Sequence, residues 1–379
     1  MADTYAVIAG GGTAGHVIPG LAIAEELVAQ GVDRDAVHYV GSARGIETRL
    51  VPEAGLPLTV LPGRGIQRRL TLENVRSVFG LIAAVITGIR LVRRLRPAVV
   101  VGLGGYASVP CVIGAVLWRV PIVVAEQNAV PGAANRLAGR FAKACAVSFD
   151  GTDLPRATWT GNPVRPEVVA LAAPDATRRA DARRRLDVPE DRALLAVFGG
   201  SLGARRINEA TADAASAWAD RDDLAVRHVS GSREHADTLA RIDLPDGATL
   251  VHQLVEYEDD MPTVYAAADL VVCRAGASSV AELAVAGLPA VLVPLPWATG
   301  DHQTANARGL VEVGAAVLVP DAELDADRLL AEVGSLLDDP DRRAAMAAAA
   351  EAFARPDAAS AVVDLVFAHA RRPRPTVSA

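Results

Sequence analysis

Short apolar runs that stop abruptly at a glycine or polar turn recur along this chain, and they constrain its fold more than any other feature. Tyr5 to Ala9 closes on Gly10-Gly11-Gly12, and a helical pattern follows from Pro19 to Gln30. Val37 to Val40 closes on Gly41, Ala98 to Val101 on Gly102-Leu103-Gly104-Gly105, and Pro121 to Ala125 on Glu126-Gln127-Asn128. The second half repeats the device. Leu194 to Phe198 closes on Gly199-Gly200-Ser201, Leu270 to Cys273 on Arg274-Ala275-Gly276, and Ala290 to Val293 on Pro294. A run that is apolar at every position suits a strand covered on both faces, which is a strand of a parallel sheet. Strand, glycine turn, helix and strand make a βαβ unit, and right-handed crossovers build such units into doubly wound α/β domains.

At 379 residues the chain has length for two such domains. The break is expected at Thr160-Gly161-Asn162-Pro163-Val164-Arg165-Pro166, where two prolines forbid a long helix or a central strand. This gives an N-terminal Rossmann-like domain over 1–163, a second over 164–345, and a C-terminal helix with a frayed tail over 346–379, with a cleft expected between the domains. A net charge of −7 argues against a dedicated nucleic-acid binder. Cys111, Cys145 and Cys273 are too few and too scattered for a disulfide framework or a metal knuckle. Met1 to Tyr5 lacks the basic start and apolar core of a secretion signal.

Gly10-Gly11-Gly12-Thr13-Ala14-Gly15 has the spacing of a loop that brings backbone amides and a helix N-terminus to an anion. A dinucleotide reading also needs a carboxylate at the end of the second strand, and Val37 to Ser42 ends without one. His16 stands at the mouth of the following helix, either as a residue of the helix start or as a neutral imidazole poised over a phosphate or a reacting hydroxyl. Gly199 to Ala204 repeats the loop in the second half. In Arg274 to Glu282, small residues let a helix begin close to a ligand, and Ser278 and Ser279 either cap that helix or meet a phosphate. Glu282 lies one turn into an otherwise apolar helix, facing either the two hydroxyls of a ribose or an arginine such as Arg274. Gln303 and Asn306 offer amides to sugar hydroxyls, and Trp297 offers a ring to a sugar or base. The Asp-x-Asp tripeptides do not follow buried strands, so neither a metal nor another cofactor is expected.

One region departs from the acidic whole. Between Ala54 and Ala125 stand Arg64, Arg68, Arg69, Arg76, Arg90, Arg93, Arg94, Arg96 and Arg119 against a single acid, Glu73. They flank the apolar stretch Val78 to Ile89, which is too short to span a bilayer of about 30 Å. It reads either as an interfacial surface for anionic lipid over Arg64 to Arg96 or as a core helix with a basic end.

Taken together, Gly10 to His16, Gly104 to Ser108, Glu126 to Asn128, Gly161 to Arg165, Gly199 to Ala204 and Gly276 to Gln303 resemble the MurG family of bacterial N-acetylglucosaminyltransferases. The resemblance implies a GT-B fold and inverting, metal-independent transfer from UDP-N-acetylglucosamine. The acceptor it implies is the C4 hydroxyl of the muramoyl sugar on undecaprenyl diphosphate, which converts lipid I to lipid II at the cytoplasmic face of the membrane, where the enzyme is peripheral. Thr13, Ala14, Gly15 and His16 would then face the acceptor, with His16 as base or phosphate contact. Asn128 would meet the N-acetylglucosamine, Arg165 and Ser201 the donor diphosphate, and Gln303 the sugar hydroxyls. Ala277, Ser278 and Ser279 would cradle phosphate, and Glu282 the ribose. Three residues depart from the family pattern. Ala14 replaces a usual Gly, Leu202 a frequent Gln, and Glu258 an apolar residue common beside the uracil. The same motifs also suit a GT-B relative that acts on a soluble acceptor, a UDP-sugar epimerase, or a non-catalytic nucleotide-sugar-binding subunit.

Overall fold

The computed structural model describes residues 3–43, 45–62, 72–200 and 203–374, with the backbone alone over 72–79. The chain divides into two compact units, Met1–Arg165 with Arg355–Ala379, and Pro166–Ala354. In the first unit the order is β1 (Ala6–Ala9), α1 (Ala14–Ala29), β2 (Val37–Ser42), α2 (Glu47–Glu53), β3 (Leu58–Leu61), α3 (Leu72–Leu95), β4 (Val99–Gly102), α4 (Gly105–Leu117), β5 (Ile122–Glu126), α5 (Ala133–Gly139), β6 (Ala144–Val147) and β7 (Ala157–Trp159). The second unit follows with α6 (Pro166–Val169), α7 (Ala176–Arg185), β8 (Ala193–Phe198), α8 (Arg205–Ala217), β9 (Leu224–Val229), α9 (His235–Arg241), β10 (Val251–Val255), α10 (Met261–Ala267), β11 (Leu270–Cys273), α11 (Ala277–Val285), β12 (Ala290–Leu292), α12 (His302–Glu312), β13 (Ala316–Leu318), α13 (Ala326–Leu337) and α14 (Pro340–Phe353). The last helix, α15 (Ala358–His369), belongs to the first unit.

The strands form a seven-stranded sheet ordered β3-β2-β1-β4-β5-β6-β7 and a six-stranded sheet ordered β10-β9-β8-β11-β12-β13. Their pairings are parallel throughout. Both sheets reverse direction of growth at the centre, between β1 and β4 and between β8 and β11, and ligands bind beyond the strand ends at such switch points. In the first unit, Ile8, Ile23, Leu27 and Tyr39 have no exposure and form one core layer with Val362, Val363 and Val366 of α15. Each apolar side chain so buried contributes about 1.5–3 kcal/mol.

Two expectations need correction. Pro19 does not begin a helix. It sits buried inside α1, which starts at Ala14, and Pro110 sits at the same depth in α4. Each proline removes one helical bond, and its buried ring packs against the core or a neighbouring helix. Pro110 meets Gly88 of α3, where any Cβ on the glycine would stand 2.6 Å from the proline Cβ. The residues after Pro340 do not form one C-terminal segment starting at 346, because α14 closes the second unit while the valines of α15 cover the first sheet. Helix α3 has one buried and one exposed apolar face. Ala84, Leu91 and Val92 are buried, whereas Ile82 is 50% and Ile86 43% exposed.

Candidate active site

In the first unit, three loops meet beyond β1, β4 and β5. The Leu103 amide donates to Ala9 O at 2.9 Å, and a Cβ on Gly105 would lie 3.1 Å from Gly11 O, so the first two loops touch through backbone. Thr13 is the N-cap of α1 with an extended φ of −133°, and its Oγ1 lies 3.3 Å from Nδ1 of His16. The half-buried His16 imidazole titrates below its ordinary value because burial disfavours the cation, and the carboxylates of Glu126 and Glu47 partly oppose that shift. At neutral pH the ring is therefore a base rather than a cation. Ala14 is not among the residues in the left-handed region, so its methyl sits on ordinary helical backbone without the strain of a positive φ. Gly15 lies on the first turn, where the helix leaves its amides without internal partners.

Glu126 is 3% exposed and organises the third loop. One oxygen accepts from the Asn128 amide at 2.9 Å, and the other from the Gly132 amide at 3.0 Å and Asn135 Nδ2 at 2.9 Å. Asn128 is thus held half-buried at the loop surface. Arg165 is half-buried at the end of the first unit.

In the second unit, the turn after β11 starts α11 at Gly276, whose backbone is extended (φ −65°, ψ 144°) and brings no capping side chain. Ser278 and Ser279 are therefore not caps but lie on the first turn with Ala277, and Ser278 Oγ is a buried hydroxyl without a hydrogen-bond partner. Glu282, 4% exposed, accepts a hydrogen bond from Tyr265 Oη at 2.9 Å. Arg274 forms an ion pair with Asp321 at 2.5 Å and donates to the carbonyls of Val293 and Pro294. It therefore braces the turn after β12. Asn306 is fully buried and donates to Ala275 O at 3.2 Å. It is a strut for the α11 turn, not an amide offered to a sugar. Gln303 Oε1 accepts from the Leu295 amide at 2.9 Å, which fixes the turn that carries Trp297 at 76% exposure.

The departure at Glu258 is answered within the chain. Its carboxylate pairs with Arg227 of β9 at 2.7 Å and accepts from the Asp260 amide at 3.1 Å. Ser201 and Leu202 lie outside the described residues, as do Arg64, Arg68, Arg69, the side chain of Arg76 and the tail from residue 375. Sequence reasoning missed Glu47, Tyr265 and Asn135. Glu47 had a signal in Gly41-Ser42-x-x-Gly45-x-Glu47, a carboxylate just beyond the second strand, but it turns inward. Among the described residues no group of three His, Cys, Asp or Glu side chains is disposed to hold a metal ion.

Comparison with known proteins gives the family. The glycosyltransferase family 28 N-terminal domain matches residues 6–147, and the family 28 C-terminal domain matches residues 194–362. A UDP-N-acetylglucosamine–N-acetylmuramyl-(pentapeptide) pyrophosphoryl-undecaprenol N-acetylglucosamine transferase of Nocardioides sp. is 44% identical over 361 residues, 95% of this chain and 97% of that protein. The transferase of the same name from Desulforudis audaxviator is 41% identical over 369 residues, with the same coverage of 95% and 97%. The crystal structure of Acinetobacter baumannii MurG superposes with a TM-score of 0.72 at 31% identity, covering 96% of this chain and 99% of that one. An S. aureus MnaA–UDP structure superposes at 0.68 with 13% identity, covering 96% of each chain, a likeness of fold alone. The chain has the GT-B fold and belongs to glycosyltransferase family 28 and, within it, to the MurG family.

Proposed function

We propose that this chain transfers N-acetylglucosamine from UDP-N-acetylglucosamine to the C4 hydroxyl of the muramoyl sugar of undecaprenyl-pyrophosphoryl-N-acetylmuramoyl-pentapeptide, with inversion and without a metal ion. The observation that carries the reading is in the second unit. The Glu282 carboxylate, held by Tyr265, lies on the same helix as the first-turn amides of Ala277, Ser278 and Ser279. Carboxylate and amides a turn apart match a ribose diol and its attached phosphate.

As the glycosidic bond breaks, the sugar gains oxocarbenium character and negative charge grows on the leaving UDP oxygen. The α11 amides, Ser201 and Arg165 stabilise that charge, and one such donor is worth about 10²–10³-fold in rate. Asn128 and Gln303 orient the N-acetylglucosamine. The α1 N-terminus, with Thr13, Ala14 and Gly15, receives the acceptor. His16, neutral at physiological pH, takes the proton of the C4 hydroxyl or contacts the acceptor phosphate. A general base adds about 10²–10⁴-fold.

The first unit also supports peripheral attachment to the cytoplasmic leaflet. Ile82, Ile86, Leu117, Trp118, Leu137 and Phe141 are exposed, and Arg93 stacks over Trp118 at 4.9 Å. Arg90, Arg93, Arg94, Arg96 and Arg119 are exposed on the same helices or just past their ends. Apolar anchors rimmed by arginine suit an anionic lipid surface, and among the described residues no helix is long and apolar enough to cross a membrane.

The test is transfer of radiolabel from UDP-N-acetylglucosamine to a short-chain lipid I analogue with EDTA present. Labelled disaccharide product is expected. No product with or without EDTA refutes the transfer, and product that vanishes on chelation refutes metal independence.

A further inference from the structure

Beneath the first glycine loop lies a carboxylate to which the mechanism above gives no task. Glu47 opens α2 and has no exposed surface. Its two oxygens accept from the Gly12 amide at 3.1 and 3.0 Å, and one of them also accepts from the Ser42 amide at 2.6 Å and Ser42 Oγ at 2.8 Å. The side chain is walled by backbone that has no room for a Cβ. A methyl on Gly11, Gly41 or Gly45 would overlap the Glu47 side chain. Gly12 itself holds a φ of +96°, a conformation closed to most residues, with open space where its Cβ would be.

These facts change how the loop works. The Gly12 amide points inward to Glu47 and is not available to a ligand. The first turn of α1 and the Thr13 and His16 side chains are left to face the acceptor. Their placement depends on Gly12 keeping its left-handed turn, and that turn is what Glu47 grips from below. We propose that Glu47 is a positioning residue for the acceptor: it locks the Gly10–Gly15 loop from beneath and sets Thr13 and His16 in place, without contacting either substrate and without a part in donor binding. The inference rests on the reading that this loop receives the acceptor.

Glu47→Gln tests it at constant size, because the new amide sets an N–H against the Gly12 or Ser42 N–H. Ser42→Ala removes one hydrogen bond from the carboxylate and leaves the rest of the cradle intact, so it tests the same point if Glu47→Gln does not fold. The assays are transfer to a short-chain lipid I analogue, calorimetric binding of UDP, and amide hydrogen exchange over residues 10–17. In Glu47→Gln, kcat/KM for the acceptor should fall about 10²-fold, the cost of a misplacement near 1 Å, with UDP affinity unchanged. Ser42→Ala should show the same split at about tenfold. Exchange over residues 10–17 should quicken in both. Unchanged acceptor kinetics in both variants overturns the proposal, and so does a loss of UDP affinity equal to the loss of acceptor efficiency. If the unsubstituted enzyme transfers nothing to the analogue, the functional reading fails instead. Loop exchange then decides the role of Glu47, and an unchanged rate in the variants rejects it.

Discussion

Glu282→Gln separates ribose recognition from simple scaffolding. The substitution keeps the size of the side chain, and the amide oxygen still accepts from Tyr265 Oη, which lies 2.9 Å from the carboxylate. Fold stability should therefore change little. The charge and one of the two acceptor oxygens are lost. A hydrogen bond to a charged group is worth about 1.5–3 kcal/mol and a neutral one about 0.5–1.5. Each ribose hydroxyl thus loses roughly 1–1.5 kcal/mol, and the pair about 2–3 kcal/mol. That is a weakening of UDP binding by roughly 30- to 150-fold. Calorimetric titration of UDP and 2′-deoxy-UDP into both proteins closes the cycle. The unsubstituted enzyme should favour UDP over the deoxy analogue, and Glu282→Gln should erase most of that preference. Equal weakening of both ligands would show that the carboxylate does not touch the ribose, and the assignment would fall.

Other outcomes follow from the same structure. Burial and mutual repulsion depress His228 to about 3, and burial depresses its stacked neighbour His252 to about 4, against an ordinary 6.5. Below pH 6.5 the unfolded chain therefore binds protons that the folded pair refuses, and stability falls with pH down to those values. Acid unfolding followed by circular dichroism should shift to lower pH when both are replaced by Phe, and an unmoved midpoint would contradict this. Glu258→Leu leaves Arg227 hydrogen-bonded to Gln253 but without its charge partner, and should cost about 2 kcal/mol in urea unfolding, less than a fully buried pair because both side chains keep some solvent. Adding Arg227→Leu should restore most of that loss, and a double variant no better than the single one would refute the pairing. Replacing Arg90, Arg93 and Arg94 by Gln should weaken flotation with anionic vesicles by about 100-fold, at about 1 kcal/mol per arginine, with neutral vesicles unaffected. Undiminished flotation would remove these residues from the membrane surface.

The strands were legible because short runs such as Val99–Val101, apolar at every position and closed by a glycine, suit a parallel sheet covered on both faces. The turns after them were legible because small residues at a strand end serve close backbone approach. What escaped the sequence depended on neighbours distant along the chain. Glu47 grips an amide 35 positions earlier, and only the parallel register that sets Ala9 beside Val40 brings the two turns together. Tyr265 reached Glu282 across 17 residues, from a helix whose apolar pattern gives no sign that a hydroxyl is needed inside. The unit that α15 would cover was also hidden, since valines every few residues on an alanine-rich helix fit either sheet. Pro19 misled for a local reason: proline favours a helix start, yet here buried packing holds it inside α1.

The most direct measurement is a crystal structure of this chain with UDP. The ribose hydroxyls should lie on Glu282 and the phosphates on the opening turn of α11. A nucleotide bound instead over the Gly10–Gly15 loop, with Glu282 untouched, would contradict the account.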